Sequence, residues 1–254
     1  MAVIKGLLMS FSMFSVIPVP SLPWDEKEKR YIMLFFPLVG LVIGLLWYLV
    51  YAITLKLSLD TRLEAFIIML MPFILSGFLH VDGFSDTCDA CLSRRDLERK
   101  REILKDSHIG AFGVIALILL FMVNYISTLG YSQTLKAPFL LIFTPVLSRC
   151  TSGFFVFMLK SMHSSGLGSA FKSMRKKSDI YIMALYFILT LACIMLTGGQ
   201  GALFTGFGIL ICQVLSVYFS YRSLDGFSGD LAGFSIVMAE TCAVIMFNVW
   251  GGLN

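Results

Sequence analysis

Three aspartates in one short segment are spaced so that their side chains fall together on a helix. Asp82, Asp86 and Asp89 stand at positions i, i+4 and i+7, within an arc of about 60° on one helix face. Like charges at this spacing destabilise a helix by about 0.2–0.5 kcal/mol, and residues 80–92 contain no lysine or arginine. We expect a bound cation to balance the negative charge of these aspartates, and this many hard carboxylate oxygens favour Mg²⁺ or Mn²⁺. The alternative is an acidic helix end without a ligand.

A fourth acidic position, Asp106, stands shortly before a long apolar run, and His108 follows it. Aspartate is favoured as the N-cap of a helix, where it suits the positive end of the helix dipole. Asp106 is therefore either such a cap or a fourth carboxylate of the metal site, and the sequence leaves both open. His108 either binds a phosphate or faces solvent.

Glycines surround an aspartate near the end of the chain, between Asp225 and Gly233. Gly226, Gly229 and Gly233 would let backbone N–H groups approach a phosphate, at a predicted helix N-terminus that favours anions. Glycines also permit close packing of helices in membranes, so the pattern has two interpretations. Asp230, within the segment, is a further candidate for substrate binding.

Two ionisable residues interrupt otherwise apolar runs near their middles, Arg149 after Ser148 and Glu240 close to the C-terminus. Charged residues at such depth in a membrane are costly and usually face the interior of the helix bundle. We expect Arg149 and Glu240 to belong to a buried site, where they either pair with each other or contact an anionic substrate.

These candidates are embedded in an unusually apolar chain. Of its 254 residues, 57% are hydrophobic and 14% are charged, against about 25% charged in soluble domains. Its apolar runs approach the roughly 20 residues that cross a bilayer as a helix. The sequence predicts an all-α transmembrane bundle of about seven spans, forming a single membrane domain over 1–254. The runs are Tyr31–Ile53, Ala65–Leu79, Ala111–Leu129, Ala137–Leu159, Ile180–Leu196, Ala202–Tyr221 and Leu231–Trp250.

The basic residues give the bundle an orientation. If the segment before Tyr31 is cytoplasmic, the inside holds four basic residues there, six in 81–109, five in 160–177, and Arg222. Only Lys56, Arg62 and Lys136 fall outside. This bias follows the positive-inside rule, so the net charge of +4 indicates orientation and no nucleic-acid partner. The loop 160–177 either sets topology and attracts anionic membrane lipid, or contacts a nucleotide or phosphate.

Taken together and in order, these motifs resemble the cobalamin-5′-phosphate synthase family, also called adenosylcobinamide-GDP ribazoletransferase. The resemblance runs nearly the length of the chain, with departures at Val16, His108 and Asp225. The matching segments are Ile17–Pro20, Phe36–Gly44, His80–Ala90, Ile103–Phe112, Ser148–Arg149 and Ser228–Gly233.

The resemblance implies a Mg²⁺-dependent enzyme that joins α-ribazole, or its 5′-phosphate, to adenosylcobinamide-GDP and releases GMP. It also implies a bacterial or archaeal cytoplasmic membrane, with the active-site segments 80–110 and 225–240 facing the cytoplasm. The metal would be held by Asp82, Asp86, Asp89 and Asp106, and Asp89 or Asp106 would act as the general base. The expected substrate-binding residues are His80, Gly83, His108, Arg149, Gly226, Gly229, Asp230, Gly233 and Glu240.

Two other classes of protein use carboxylates at a membrane. A CDP-alcohol phosphotransferase carries a pattern resembling D-x-x-D-G-x-x-A-R, but here the glycine follows the first aspartate and the A-R is missing. A cation transporter usually binds its ion near the bilayer midplane on broken helices, whereas these aspartates fall in a predicted cytoplasmic segment. Release of GMP by the purified protein would separate the transferase from both.

The charge bias predicts that loops 81–109 and 160–178 face the cytoplasm. Cysteines introduced into these loops should resist an impermeant thiol reagent added from outside and react only after the membrane is opened. A cysteine introduced beside Lys56 is the matched control and should be labelled from outside. Rapid external labelling of either loop would contradict the orientation.

Overall fold

A computed structural model describes residues 2–20, 22, 29–131, 138–162, 171, 173 and 175–252. Nearly all of this part of the chain is α-helical; its only β feature is an isolated bridge between Ser161 and Phe227. The predicted all-α fold is therefore confirmed. The helices are α1 (Ala2–Phe14), α2 (Lys29–Leu34), α3 (Phe36–Leu57), α4 (Thr61–Leu75), α5 (Leu79–Leu92), α6 (Leu97–Ile103), α7 (Ala111–Tyr131), α8 (Leu140–Met158), α9 (Lys177–Leu224) and α10 (Gly229–Gly252).

Five helices in the described residues, α3, α7, α8, α9 and α10, are long and apolar enough to cross a membrane. Helices α4 and α5 are long and apolar enough for one crossing only when they are taken together. They meet at 88° and therefore form a broken span or a re-entrant loop. By length and composition the chain is thus a multi-pass membrane protein with five such helices, or six with the bent pair. The count of about seven spans stays a prediction.

Helix α9 is longer than any single crossing needs, and it folds back on itself. Gly199 interrupts its 48 residues with a positive φ of 65° and a ψ of −155°. A Cβ on Gly206 would lie 3.5 Å from the Leu191 Cδ2 atom and 3.7 Å from the Ile194 Cδ1 atom. In a straight helix, residues 191 and 206 would stand about 22 Å apart. The two predicted runs 180–196 and 202–221 are therefore the two arms of α9.

The bend between α4 and α5 turns the acidic segment away from α4. Gly77 and Phe78 both have left-handed backbone angles, with φ values of 64° and 58°. The Ser76 hydroxyl donates to the carbonyls of Pro72 and Phe73 and so occupies acceptors at the end of α4. Because glycine adopts positive φ at little cost, the Ser76–Phe78 turn can point α5 at the start of α10.

Helices α3 and α8 approach each other through glycines of α3. A Cβ on Gly40 would lie 2.8 Å from the Pro145 carbonyl carbon, and one on Gly44 would lie 2.8 Å from that of Ile142. These contacts are with backbone atoms, which cannot rotate aside as a side chain can. Small residues four apart let two membrane helices pack closely, which explains the spacing of Gly40 and Gly44.

We expect Gly44→Ala to destabilise the bundle by about 1–3 kcal/mol, the usual cost of overpacking a close contact. Gly206→Ala is the matched control, because its Cβ would meet neighbours only at 3.5 Å or more. Thermal unfolding of both variants in detergent is the measurement. Equal melting temperatures for the two would contradict the close α3–α8 crossing.

Candidate active site

A cavity of about 240 Å³ lies where the two predicted active-site segments meet. One wall comes from the start of α5 and another from the start of α10, and the ends of α1 and α8 close it. Its acidic end is formed by Asp82, Ser228, Gly229 and Asp230, and its apolar end by Phe14, Met33, Phe36, Ser152, Val156 and Ile236. The remaining lining residues are Met13, Leu79, His80, Gly83, Ser161, Phe171, Phe227, Ala232 and Gly233.

The acidic end collects carboxylates from two helices that are far apart in sequence. Asp86 is half-buried and lies within electrostatic range of Asp82, Asp230 and Asp89. In the described part of the chain neither Asp82 nor Asp86 forms an ion pair. The repulsion foreseen for one face of α5 is therefore increased by Asp230 from α10.

The residues at this end fit a divalent cation that is shared with a substrate. Among the residues described, no three His, Cys, Asp or Glu side chains lie close enough together to form a complete metal site. Mg²⁺ does not need one, because it usually keeps several waters and binds one or two carboxylates together with substrate phosphates. The excess negative charge around Asp86 suits such a cation, and the Mg²⁺ requirement stays a prediction.

Asp89 faces α7 and not the cavity. Its buried Oδ2 atom accepts a hydrogen bond of 2.7 Å from the backbone N–H of Gly110. A Cβ on Gly110 would lie 2.9 Å from the Asp89 Cγ atom, and one on Gly113 would clash with its Oδ2. The start of a helix favours a carboxylate, so Asp89 ties α5 to the N-terminus of α7. Its predicted metal and general-base roles stay predictions.

Asp106 and His108 pair with each other on the surface. The Asp106 Oδ1 atom accepts from the backbone N–H of His108 at 3.0 Å and lies 2.8 Å from the ring Nδ1. These hydrogen bonds hold the pKa of Asp106 below its usual value. Helix α7 begins at Ala111, so Asp106 is not its N-cap, and neither Asp106 nor His108 lines the cavity.

Basic residues hold the turn between α9 and α10, a role that the sequence analysis missed. Arg101 donates from Nε to the Leu224 carbonyl at 3.0 Å and from Nη2 to the Asp225 carbonyl at 2.8 Å. Lys100 Nζ donates to the Ser223 hydroxyl at 2.8 Å, and Lys160 Nζ lies 3.5 Å from the Asp225 carboxylate. Cations are favoured at a helix C-terminus, and the basic run beginning at Arg94 was the available signal.

The predicted phosphate-binding glycines have different surroundings. Gly226 packs against the chain after α8, because its Cβ would lie 2.5 Å from the Met162 Cα atom. Gly83 and Gly233 allow α5 and α10 to cross closely. A Cβ on Gly83 would lie 2.9 Å from the Asp230 Cα atom, and a Cβ on Gly233 would lie 3.2 Å from the His80 Cα atom. Only Gly229 has open space around it, at the cavity wall and the first position of α10.

His80 lines the cavity in an aromatic environment. Its buried ring lies 6.5 Å from the ring of Phe14 and 6.0 Å from the ring of Phe36. The Nε2 atom has no hydrogen-bond partner among the described atoms. His80 therefore lines the cavity and contains a buried polar atom without a hydrogen-bond partner in the described part of the chain.

Arg149 and Glu240 form a buried ion pair. The Arg149 Nη1 atom donates to the Glu240 Oε1 at 2.7 Å and to the Pro145 carbonyl at 3.1 Å. The Ser148 hydroxyl also donates to the Glu240 Oε1, at 2.9 Å. Neither member of the pair lines the cavity. The structure thus shows the pairing that the sequence left open, and direct contact with substrate stays a prediction.

Similarity to known proteins decides the family. A family model described as Cobalamin-5-phosphate synthase matches residues 6–248, which include every part of the cavity. This chain belongs to the cobalamin-5-phosphate synthase family. It is therefore an enzyme, a transferase of cobalamin synthesis, and the two rival classes do not describe it.

Proteins named adenosylcobinamide-GDP ribazoletransferase match this chain along most of its length. One from Clostridium botulinum (strain Alaska E43) is 39% identical over 242 residues, covering 93% of this chain and 94% of the relative. One from Clostridium perfringens (strain SM101) is 36% identical over 245 residues, covering 96% and 98%. One from a Geobacillus species (strain WCH70) is 27% identical over 242 residues, covering 93% and 92%. No solved structure matches the chain.

The basic loop of this cobalamin-5-phosphate synthase family member is described only in part. Lys160, Ser161 and Met162 are described, and the Ser161 bridge to Phe227 joins the loop to the cavity wall. Residues 163–170, 172 and 174 lie outside the described residues. Contact of this loop with a nucleotide therefore stays a prediction.

We expect Arg149→Leu and Glu240→Leu each to destabilise the protein by about 3–5 kcal/mol, because each leaves a buried charge without its partner. The double variant should recover much of this loss, since apolar residues can often replace a buried ion pair. Melting temperatures of the three variants in detergent are the measurement. A double variant no more stable than the weaker single would show that the pair is not the main partner of either charge.

Proposed function

We propose that this protein transfers α-ribazole, or its 5′-phosphate, to adenosylcobinamide-GDP and releases GMP, with Mg²⁺ as cofactor. The names of the relatives supply the substrates. The observation that supports the reaction in this chain is the acidic end of the cavity, where Asp82 and Asp230 lie beside the start of α10. Carboxylates at a helix N-terminus suit a reaction in which a cation and a diphosphate must meet.

The reaction requires one bond to form and one to break at phosphorus. The ribose hydroxyl oxygen of the ribazole forms a P–O bond to the phosphorus on the cobinamide side of the diphosphate. The bond from that phosphorus to the oxygen of the departing GMP breaks, and the hydroxyl proton passes to a base. Backbone N–H groups at the start of α10, around the open position Gly229, would stabilise the phosphate charge electrostatically.

The acidic end contains the groups that could accept this proton. Asp82 is exposed on the cavity wall, and Asp230 lines the same end. A general base must come within hydrogen-bond reach of the proton, so we propose one of these two carboxylates. The earlier candidates, Asp89 and Asp106, face the start of α7 and the surface, respectively.

One or two of the carboxylates of Asp82, Asp86 and Asp230 would hold Mg²⁺ together with the diphosphate. Asp82 and Asp230 each lie within electrostatic range of Asp86, and no basic side chain of the described chain pairs with Asp82 or Asp86. The ion, when bound, would neutralise charge on the diphosphate and on the departing GMP. The protein's own part is to concentrate carboxylates where the diphosphate must lie.

We further propose that the cavity faces the cytoplasm. Lys100, Arg101 and Lys160 all contact the end of α9 or Asp225 just after it, shortly before the acidic end, so basic residues gather at the cavity end of the bundle. The segment from Lys56 to Arg62, at the other end of α3, holds two of the three basic residues predicted to lie outside; the third, Lys136, is outside the described residues. This distribution supports the positive-inside orientation, and a cytoplasmic cavity would give access to nucleotide substrates.

We expect Asp82→Asn to reduce GMP release at least about 100-fold, the typical contribution of a general base or of a charge at a reacting phosphate. Its melting temperature should stay near that of the wild type, because Asp82 is exposed. Asp106→Asn is the matched control: it is also exposed but lies away from the cavity, and it should keep most of the activity.

Asp89→Asn should behave differently, lowering the melting temperature as the hydrogen bond to Gly110 and the helix-end charge interaction weaken. Purified protein in detergent is assayed for GMP release with adenosylcobinamide-GDP and α-ribazole, with and without a chelator. Near-normal turnover of Asp82→Asn, or full activity in excess chelator, would contradict the proposed site.

A further inference from the structure

The two ends of the cavity differ in chemistry, and α10 spans the distance between them. Gly229 lies at the acidic end and Ile236 at the apolar end, and seven residues of helix separate them by about 10 Å. A ligand that reaches both ends therefore needs a charged or hydroxyl-bearing part and an apolar part joined over that length.

The apolar end has no charge to offer a ligand. Its lining among the residues described here includes no Asp, Glu, Lys or Arg. The Arg149 guanidinium lies behind this lining, 5.7 Å from the centre of the Phe36 ring, but its charge is already paired with Glu240. A phosphate or a cation would lose its hydration in this end without a partner, so the occupant must be neutral.

Aromatic rings determine what kind of neutral group fits. Phe14 and Phe36 have ring centroids 4.3 Å apart and tilted planes, and the His80 ring stacks on Phe14 and meets Phe36 edge-on. Phe171 and Phe227 also line the cavity. Aromatic side chains favour a planar aromatic ligand through offset or edge-to-face contacts, beyond the area that they bury.

Among the described residues, two that line the cavity each contain a buried polar atom without a hydrogen-bond partner. The Ser152 hydroxyl is fully buried on α8, and the His80 Nε2 is buried on α5; neither has a hydrogen-bond partner in the described chain. Buried polar groups are normally hydrogen-bonded, because leaving one unpaired costs free energy. Since Ser152 and His80 both line the cavity, a bound ligand with a polar atom is the natural partner.

We propose that the apolar end is the subsite for the planar heteroaromatic base of the ribazole substrate, with Ser152 and His80 as hydrogen-bonding residues that help to select it. This assignment rests on the proposed function and adds to it which substrate occupies which end. The ribose would then lie toward Asp82 and Asp230, which is where its hydroxyl must be deprotonated.

The test is direct binding of α-ribazole to the purified protein by calorimetry, together with the KM of each substrate. Ser152→Ala should weaken α-ribazole binding about fivefold to tenfold, the effect of one lost hydrogen bond. Ser152→Phe, which fills the apolar end, should abolish it. The KM for adenosylcobinamide-GDP should change less than about twofold in Ser152→Ala, because the GDP moiety lies at the acidic end.

Thr128→Val is the matched control, since the Thr128 hydroxyl is also buried and without a partner but lies outside the cavity. It should bind α-ribazole as the wild type does. His80→Asn provides a second variant if Ser152→Phe fails to fold, and it should also weaken α-ribazole binding. Wild-type affinity in folded Ser152→Phe, or in both Ser152→Ala and His80→Asn, would overturn the subsite.

Failure of the subsite and failure of the proposed function give different results. If the wild type releases GMP and these variants bind α-ribazole normally, the reaction stands and the base binds elsewhere. If the wild type binds α-ribazole with the expected sensitivity to Ser152 but never releases GMP, the subsite stands and the proposed reaction is wrong.

Discussion

Helices α5 and α10 cross so closely that a Cβ at Gly83 would clash with the Asp230 backbone and one at Gly233 would lie in tight contact with the His80 backbone. Lipid provides little hydrophobic drive for helices to associate, so small residues that allow close packing are a main source of contact in membranes. The crossing brings the carboxylates of α5 to the start of α10 and opens the cavity between them. Without it, Asp82 and Asp230 would belong to separate parts of the bundle.

The crossing also concentrates like charges, and the surrounding contacts resist their repulsion. Asp89 is held by the N-terminus of α7, which fixes one end of α5. Arg101 fixes the turn that precedes α10 by bonding to the carbonyls of Leu224 and Asp225. The carboxylates around Asp86 are thus held at fixed positions before any cation arrives, and such preorganisation is what an electrostatic site requires.

Arg149 pairs with Glu240 beside the apolar end of the cavity, with its guanidinium 5.7 Å from the centre of the Phe36 ring. The two opposite charges compensate each other, so the apolar end meets no uncompensated charge. Gly40 allows Arg149 this position, because a Cβ there would lie 2.9 Å from the Arg149 Cδ atom. A single molecule can therefore offer an acidic end and a neutral end within about 10 Å.

The fold class and the chemical character of the site were determined by the sequence itself. Long uncharged runs must become helices in lipid, where every backbone polar group needs an internal partner, and three aspartates at helical spacing share a face by geometry. Which aspartate faces which neighbour is a matter of tertiary contacts. Only the structure directs Asp89 to α7, adds Asp230 to the acidic end, pairs Arg149 with Glu240 and folds α9 at Gly199. These results depend on how helices distant in sequence pack, and local spacing contains no information on that packing.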